Sequence, residues 1–354
     1  MSRTNTNSVS LWTCLLASAV CASTQFACES QAPAALDAPD APAFEERTHI
    51  LRYGPQLVAP GEEGTRCIWL RLDNDAPIKV RAVHNKLNSS SHHLIVYKDD
   101  QDTVEQLTPE RCTPFAGALN PTGRIAPIVI TQKSDDRLEL PPRVAYTLDA
   151  HQMIKLEMHY LNSTDAPIEA TATVEFVTAD EDEIDHEADI LFIGSPDINI
   201  PAGATQTLKQ FFTVPSELDL SASNVFAITG HTHHFGTDMN VRVGASKTDP
   251  AMRKLYDPAP FLWSEPETTL LEPPTNVPRG GGFEFECTWT NTSNQRVEFG
   301  ESANDEMCFF WAYYYPSQGS KVCVHTDQVG GVNGLDVCCP GDALCGLIED
   351  YFEN

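Results

Sequence analysis

Positive charge is scarce in this chain. Among 354 residues, Lys and Arg number 23 against 50 Asp and Glu, a formal charge of −27. Such a surface repels phosphate backbones, so nucleic acid is not an expected partner. No two cysteines stand in a CxxC pair, which argues against a structural zinc knuckle. The apolar stretch Val9–Ala22 is too short to span a bilayer and no other apolar run is long enough to cross as a helix, so no transmembrane helix is expected. Long amphipathic helical patterns are missing too.

The N-terminus reads as an export signal over residues 1–27. Arg3 supplies a weak basic start, the Val9–Ala22 stretch is apolar, and Val20-Cys21-Ala22 resembles a small-residue cleavage site. Cys28 is a candidate lipid-attachment cysteine, although the residues before it fit a lipobox poorly. Residues 28–47 are rich in Ala, Pro and Asp and read as a tether. Of the 11 cysteines, Cys14, Cys21 and Cys28 fall in or beside the signal. The others are Cys67, Cys112, Cys287, Cys308, Cys323, Cys338, Cys339 and Cys345. An even set in an exported chain implies disulfides and an oxidising compartment: periplasm, extracellular space or a surface lipoprotein.

Short alternating segments rich in β-branched and aromatic residues recur along the remainder, separated by Pro-, Gly- and Asn-rich turns. Examples are Cys67–Leu72, His93–Tyr97, Ile154–Tyr160, Phe283–Trp289 and Met307–Tyr315. The chain is long enough for two cores. The expected fold is all-β: two tandem antiparallel, jelly-roll-like β-sandwiches over residues 48–187 and 188–354, the second with a disulfide-rich tail. The acidic run from Asp180 reads as a solvated connector, with calcium binding a minor alternative.

His231-Thr232-His233 is the most informative motif. On an extended segment its two imidazoles share a face, where one ion can take both. His234 then faces away. Met307 and Cys308 must also point oppositely, so the thioether can face a metal while Cys308 pairs behind it. A thioether is a poor zinc ligand and a good one for Cu(I). His92 and His93 both reach one ion only if the backbone bends there or the two rings use different nitrogens. His159 completes a possible three-imidazole set, which suits copper or zinc equally. His84, His151, His186 and His325 lack such company and read as ordinary histidines.

His92-His93 before an apolar strand, Leu156-x-x-His159-Tyr160, His231-Thr232-His233-His234-x-Gly236 and Asp305-Glu306-Met307-Cys308 with Tyr313-Tyr314 occur in that order. This arrangement resembles the copper type II, ascorbate-dependent monooxygenases, the family of peptidylglycine α-hydroxylating and dopamine β-monooxygenases. The resemblance spans Cys67 to Tyr315. It implies two copper ions, one in each sandwich. His92, His93 and His159 would hold the electron-transfer ion; His231, His233 and Met307 would hold the catalytic one. It also implies C–H hydroxylation with O₂ and ascorbate or an equivalent reductant, and the cystines Cys67–Cys112 and Cys287–Cys308. The pairing of Cys323, Cys338, Cys339 and Cys345 stays open.

Departures from the family pattern concern substrate. The peptide-amidating members carry an arginine two residues before the first histidine of the H-T-H motif, and an Asn and a Tyr after the methionine. Thr229, Phe309 and Trp311 stand at those positions here. Without the guanidinium a peptide carboxylate loses its bidentate partner. A small apolar or aromatic substrate with an aliphatic or benzylic C–H bond is expected instead. Two rival readings are a non-catalytic copper-binding exported β-sandwich protein and a zinc hydrolase built on three histidines. Met307 and the doubled site count against the hydrolase. The sequence leaves oligomeric state open.

Overall fold

The computed structural model describes residues 47–88, 91–115, 123–328, 334–346 and 348. The expected signal, the candidate lipid-attachment cysteine and nearly all of the expected tether lie outside them. The described fold is all-β, as expected, and has no helix of seven or more residues. None of its helices is long and apolar enough to cross a membrane.

Two sheets form the N-terminal part. One runs in the order Thr48–Val58, Ile168–Ala179, Ile78–Leu87, Val144–Leu148, His186–Glu187, with Asp135–Glu139 also paired to Ile78–Leu87. The other runs Gln106–Arg111, Glu63–Arg71, Met153–Leu161, Ser91–Asp99, Ile125–Thr131. In the C-terminal part, one sheet orders Thr268–Thr275, Asn224–His231, Phe309–Tyr315, Asp189–Gly194, Lys321–Thr326 and Leu335–Cys339. A second orders Thr205–Thr213, Gly282–Thr290, Gly236–Gly244 and Arg253–Tyr256. Pairing is antiparallel except between Asp189–Gly194 and Lys321–Thr326 and between His186–Glu187 and Val144–Leu148.

Strand alternation explains how the two parts meet. Along Phe309–Tyr315, Phe310, Ala312 and Tyr314 enter the C-terminal core with Leu191, Ile193, Phe283 and Phe285. Phe309, Trp311 and Tyr313 point the other way, into a core shared with Ile95, Tyr97, Ile128 and Ile130 of the N-terminal part. Residues 44–354 accordingly form one compact unit. Met153–Leu161 shows the complementary pattern. Ile154, Leu156 and Met158 belong to the apolar core, while Lys155, Glu157 and His159 lie on the opposite face and are also buried. Lys155 and Glu157 pair at 3.0 Å, and Tyr97 donates to the same carboxylate at 3.1 Å. Thus the buried charges are hydrogen-bonded, as burial requires.

Four disulfides staple the fold: Cys67–Cys112, Cys287–Cys308, Cys323–Cys338 and Cys339–Cys345. The first two are those the family resemblance implies. The last two resolve the open pairing, each closing a short loop near the C-terminus.

Candidate metal centre

His93 stands directly opposite His159 across the Ser91–Asp99 and Met153–Leu161 pair. The register slips between Ser91 and His93. This irregularity supplies the bend that lets adjacent residues reach one point. His92 Nδ1 and His93 Nδ1 lie 3.3 Å apart. His92, His93 and His159 each offer one nitrogen, all within 4.8 Å of one another, a spacing that suits one metal ion.

His231 ends its strand opposite Phe309. The ring centroids of His231 and His233 are 5.2 Å apart. Met307 lines a small apolar cavity with His231, His93, Phe192 and Trp311. Cys308, the next residue, belongs to the C-terminal core and bonds Cys287. The thioether and the cystine therefore face opposite sides, as alternation predicts.

His231, His233 and His159 are each oriented through one ring nitrogen, leaving the other for a ligand. His231 Nδ1 lies 2.7 Å from Gln132 Oε1, and His233 Nδ1 lies 3.1 Å from the Asp305 carbonyl. His159 Nε2 meets Glu63 Oε1 at 3.3 Å. His92 Nε2, His159 Nδ1 and His233 Nε2 are buried without any hydrogen-bond partner. Orphaned acceptors of this kind are costly unless something binds them. The donor chemistry fits copper: three imidazoles on one side, two imidazoles and a thioether on the other.

Burial favours the neutral ring at His92, His93, His231 and His233. His92, His93 and His231 are held well below the usual imidazole range by desolvation, then by neighbouring histidines. His233 falls to about 4 for the same leading reason. Neutral rings are the form that ligates metal.

The two sets abut. The His92 and His233 centroids are 5.8 Å apart, those of His93 and His231 6.1 Å. Sequence reasoning assigns one set to each sandwich and says nothing of their separation.

Residues 186–330 match the family model of the copper type II ascorbate-dependent monooxygenase C-terminal domain. The chain thus resembles that family. The matched segment contains His231, His233, Met307 and the Cys287–Cys308 cystine. His92, His93 and His159 lie before it. Among solved structures, the STIV MCP is 10% identical with a TM-score of 0.35, covering 82% of this chain and 100% of that one. N-glycanase F (PNGase F) is 11% identical with a TM-score of 0.36, covering 77% and 96%. Likenesses this weak carry no functional information.

Three supporting residues escape sequence reasoning. Glu306 is fully buried and accepts from the backbone N–H of His233 at 2.8 Å and Phe235 at 2.7 Å, and from Trp289 Nε1 at 2.8 Å. Burial pushes its carboxyl up to about 7, and those N–H donors pull it back. Its place beside Met307 was the available signal. Gln132 and Glu63 carry none. Glu63 also accepts from Ala303 N at 2.6 Å and Ser302 Oγ at 3.1 Å. Its carboxyl is held down at about 2: its own desolvation opposes this, and the bonds to His159, Ala303 and Ser302 outweigh it.

Of the three residues expected at the substrate, Trp311 lines the cavity with Met307. Thr229 sits opposite Trp311 and shares a 2.8 Å hydroxyl contact with Thr268. Phe309 stacks on Phe192 at 4.8 Å. His234 turns away and bonds the Ala303 carbonyl.

Proposed function

We propose that this protein is an exported copper monooxygenase. It hydroxylates an aliphatic or benzylic C–H bond of a small apolar or aromatic substrate, using O₂ and ascorbate or an equivalent reductant. The observation that carries the reading is the three orphaned, buried imidazole nitrogens, on His92, His159 and His233, in adjoining donor sets. On this reading residues 48–187 and 188–354 are two domains. His92, His93 and His159 hold one copper, and His231, His233 and Met307 hold the other. Copper in these sets supplies one-electron chemistry toward dioxygen.

The chain's own residues prepare that chemistry. Gln132 and the Asp305 carbonyl each accept the Nδ1 proton of a histidine, presenting Nε2 as the ligand. Glu306 fixes the backbone on both sides of His234, and so the pitch of the H-T-H segment. Phe115, Phe192, Ile130 and Trp311 wall the cavity beside Met307 and His231. These apolar walls suit an apolar substrate. Four disulfides agree with an oxidising, exported setting. The test is a substrate screen with the copper-loaded protein, following O₂ uptake and ascorbate oxidation. Substrate-dependent uptake with one oxygen atom in the product supports the reading. Copper binding without any turnover supports a storage or binding role.

A further inference from the structure

An open cavity beside the first histidine set is lined by Glu63, Thr65, Arg111, His159, Glu301 and Ser302. It is distinct from the apolar cavity at Met307, and it reaches a buried imidazole from solvent. Its cation is unusual. Arg111 stands directly opposite Arg66 in the pairing of Gln106–Arg111 with Glu63–Arg71. Like charges in cross-strand register repel, and the chain has only 23 Lys and Arg to place. Arg66 has Glu62 at 3.6 Å. Arg111 is exposed and forms no ion pair among the described residues. Outside the cavity, the Glu62 carboxyl is held below its usual range chiefly by the Ala59 N–H, with the Arg111 charge helping; the two carboxylates that line the cavity do not pair with Arg111. Glu63 is engaged by His159, Ala303 and Ser302. Glu301 is held up to about 8 by burial and then by Glu157, so at neutral pH it carries a proton to donate.

We propose that this cavity docks the reductant, a small enediol anion of the ascorbate class, with Arg111 pairing with its charge and His159 forming the wall through which an electron enters. The proposal rests on the copper monooxygenase reading. Each docked anion would give one electron to a copper ion that His92, His93 and His159 would hold, and its hydroxyl proton to water at the open mouth. It leaves as the one-electron-oxidised radical anion. Two such visits supply the two electrons of one turnover. A local cation matters here because the surrounding protein repels anions.

The experiment compares wild type with Arg111→Glu, both copper-loaded. Reduction is followed anaerobically by loss of the Cu(II) paramagnetic resonance signal, with ascorbate and with uncharged hydroquinone as donors. Ascorbate binding to the already reduced protein is read separately by saturation-transfer NMR. The expected result is an ascorbate concentration for half-maximal reduction raised about tenfold or more in Arg111→Glu. Hydroquinone reduction stays within about twofold, and the NMR contact is lost. Unchanged ascorbate dependence would overturn the docking site, as would equal slowing with both donors. A wild-type protein that takes up copper but is not reduced by ascorbate would overturn the docking site and ascorbate as donor. One that takes up no copper would overturn the monooxygenase reading itself.

Discussion

Gln132 Oε1 lies 2.7 Å from His231 Nδ1, and the two residues come from opposite sides of the core that joins the N- and C-terminal sheets. A residue just past Ile125–Thr131 therefore sets the tautomer of an imidazole at the end of Asn224–His231. Gln132→Leu should weaken copper binding at the His231 set by roughly 10–100-fold, the usual cost of losing such an orienting partner. The His92 set should keep its affinity. Competition titration with a Cu(I) chelator reads the two affinities apart. Equal loss at both sets would point to misfolding instead.

Glu306 makes a different forecast. Glu306→Ala would leave four buried N–H donors, on His233, Phe235, Trp289 and Met307, without this acceptor. We expect destabilisation of about 3–5 kcal/mol by denaturant unfolding. A loss under about 1 kcal/mol would mean that these donors find other partners.

Cys287–Cys308 closes a separation of 21 residues behind Met307. The double change Cys287→Ala with Cys308→Ala should cost about 2–4 kcal/mol. Copper at the His92 set should survive under conditions where the double variant is still folded. Peptide mapping of the native protein without reductant should recover the bond. Either residue found as a free thiol would count against it.

Glu301 gives the stability a pH dependence. Its folded-state value of about 8 exceeds the ordinary 4.5, through burial and then Glu157. Between those values the folded protein holds a proton that the unfolded chain has released. The stabilisation from this group is therefore full below about pH 4.5 and lost as pH rises to about 8. Glu301→Gln removes that loss. Its Tm advantage over wild type should widen by roughly 3–6 °C from pH 5 to pH 8 and then level off. An advantage that shrinks over this range would show the sign to be wrong.

Much of this architecture was legible in the sequence because strand alternation is a strict rule. The same rule was extended to Met307 and Cys308 and to His231 and His233, although of these four only His231 lies within a strand. A backbone bend at His92-His93 was one of the two ways both could serve one ion, and the register slip there supplies it. What the sequence could not carry is contact between distant strands. Nothing near Glu63 or Gln132 marks them as partners of His159 and His231. The alternation of Phe309, Trp311 and Tyr313 against Phe310, Ala312 and Tyr314 reveals two apolar faces, yet not that one of them packs on the N-terminal sheets. That packing brings the His92 and His233 rings to 5.8 Å.

The most direct measurement is copper content per chain in wild type, His92→Ala and His231→Ala after reconstitution and removal of loose metal. The account predicts about two ions in wild type and about one in each variant, since each change removes a ligand from a different set. A single tightly bound zinc in the wild-type protein, or full copper content in the His231→Ala protein, would contradict it.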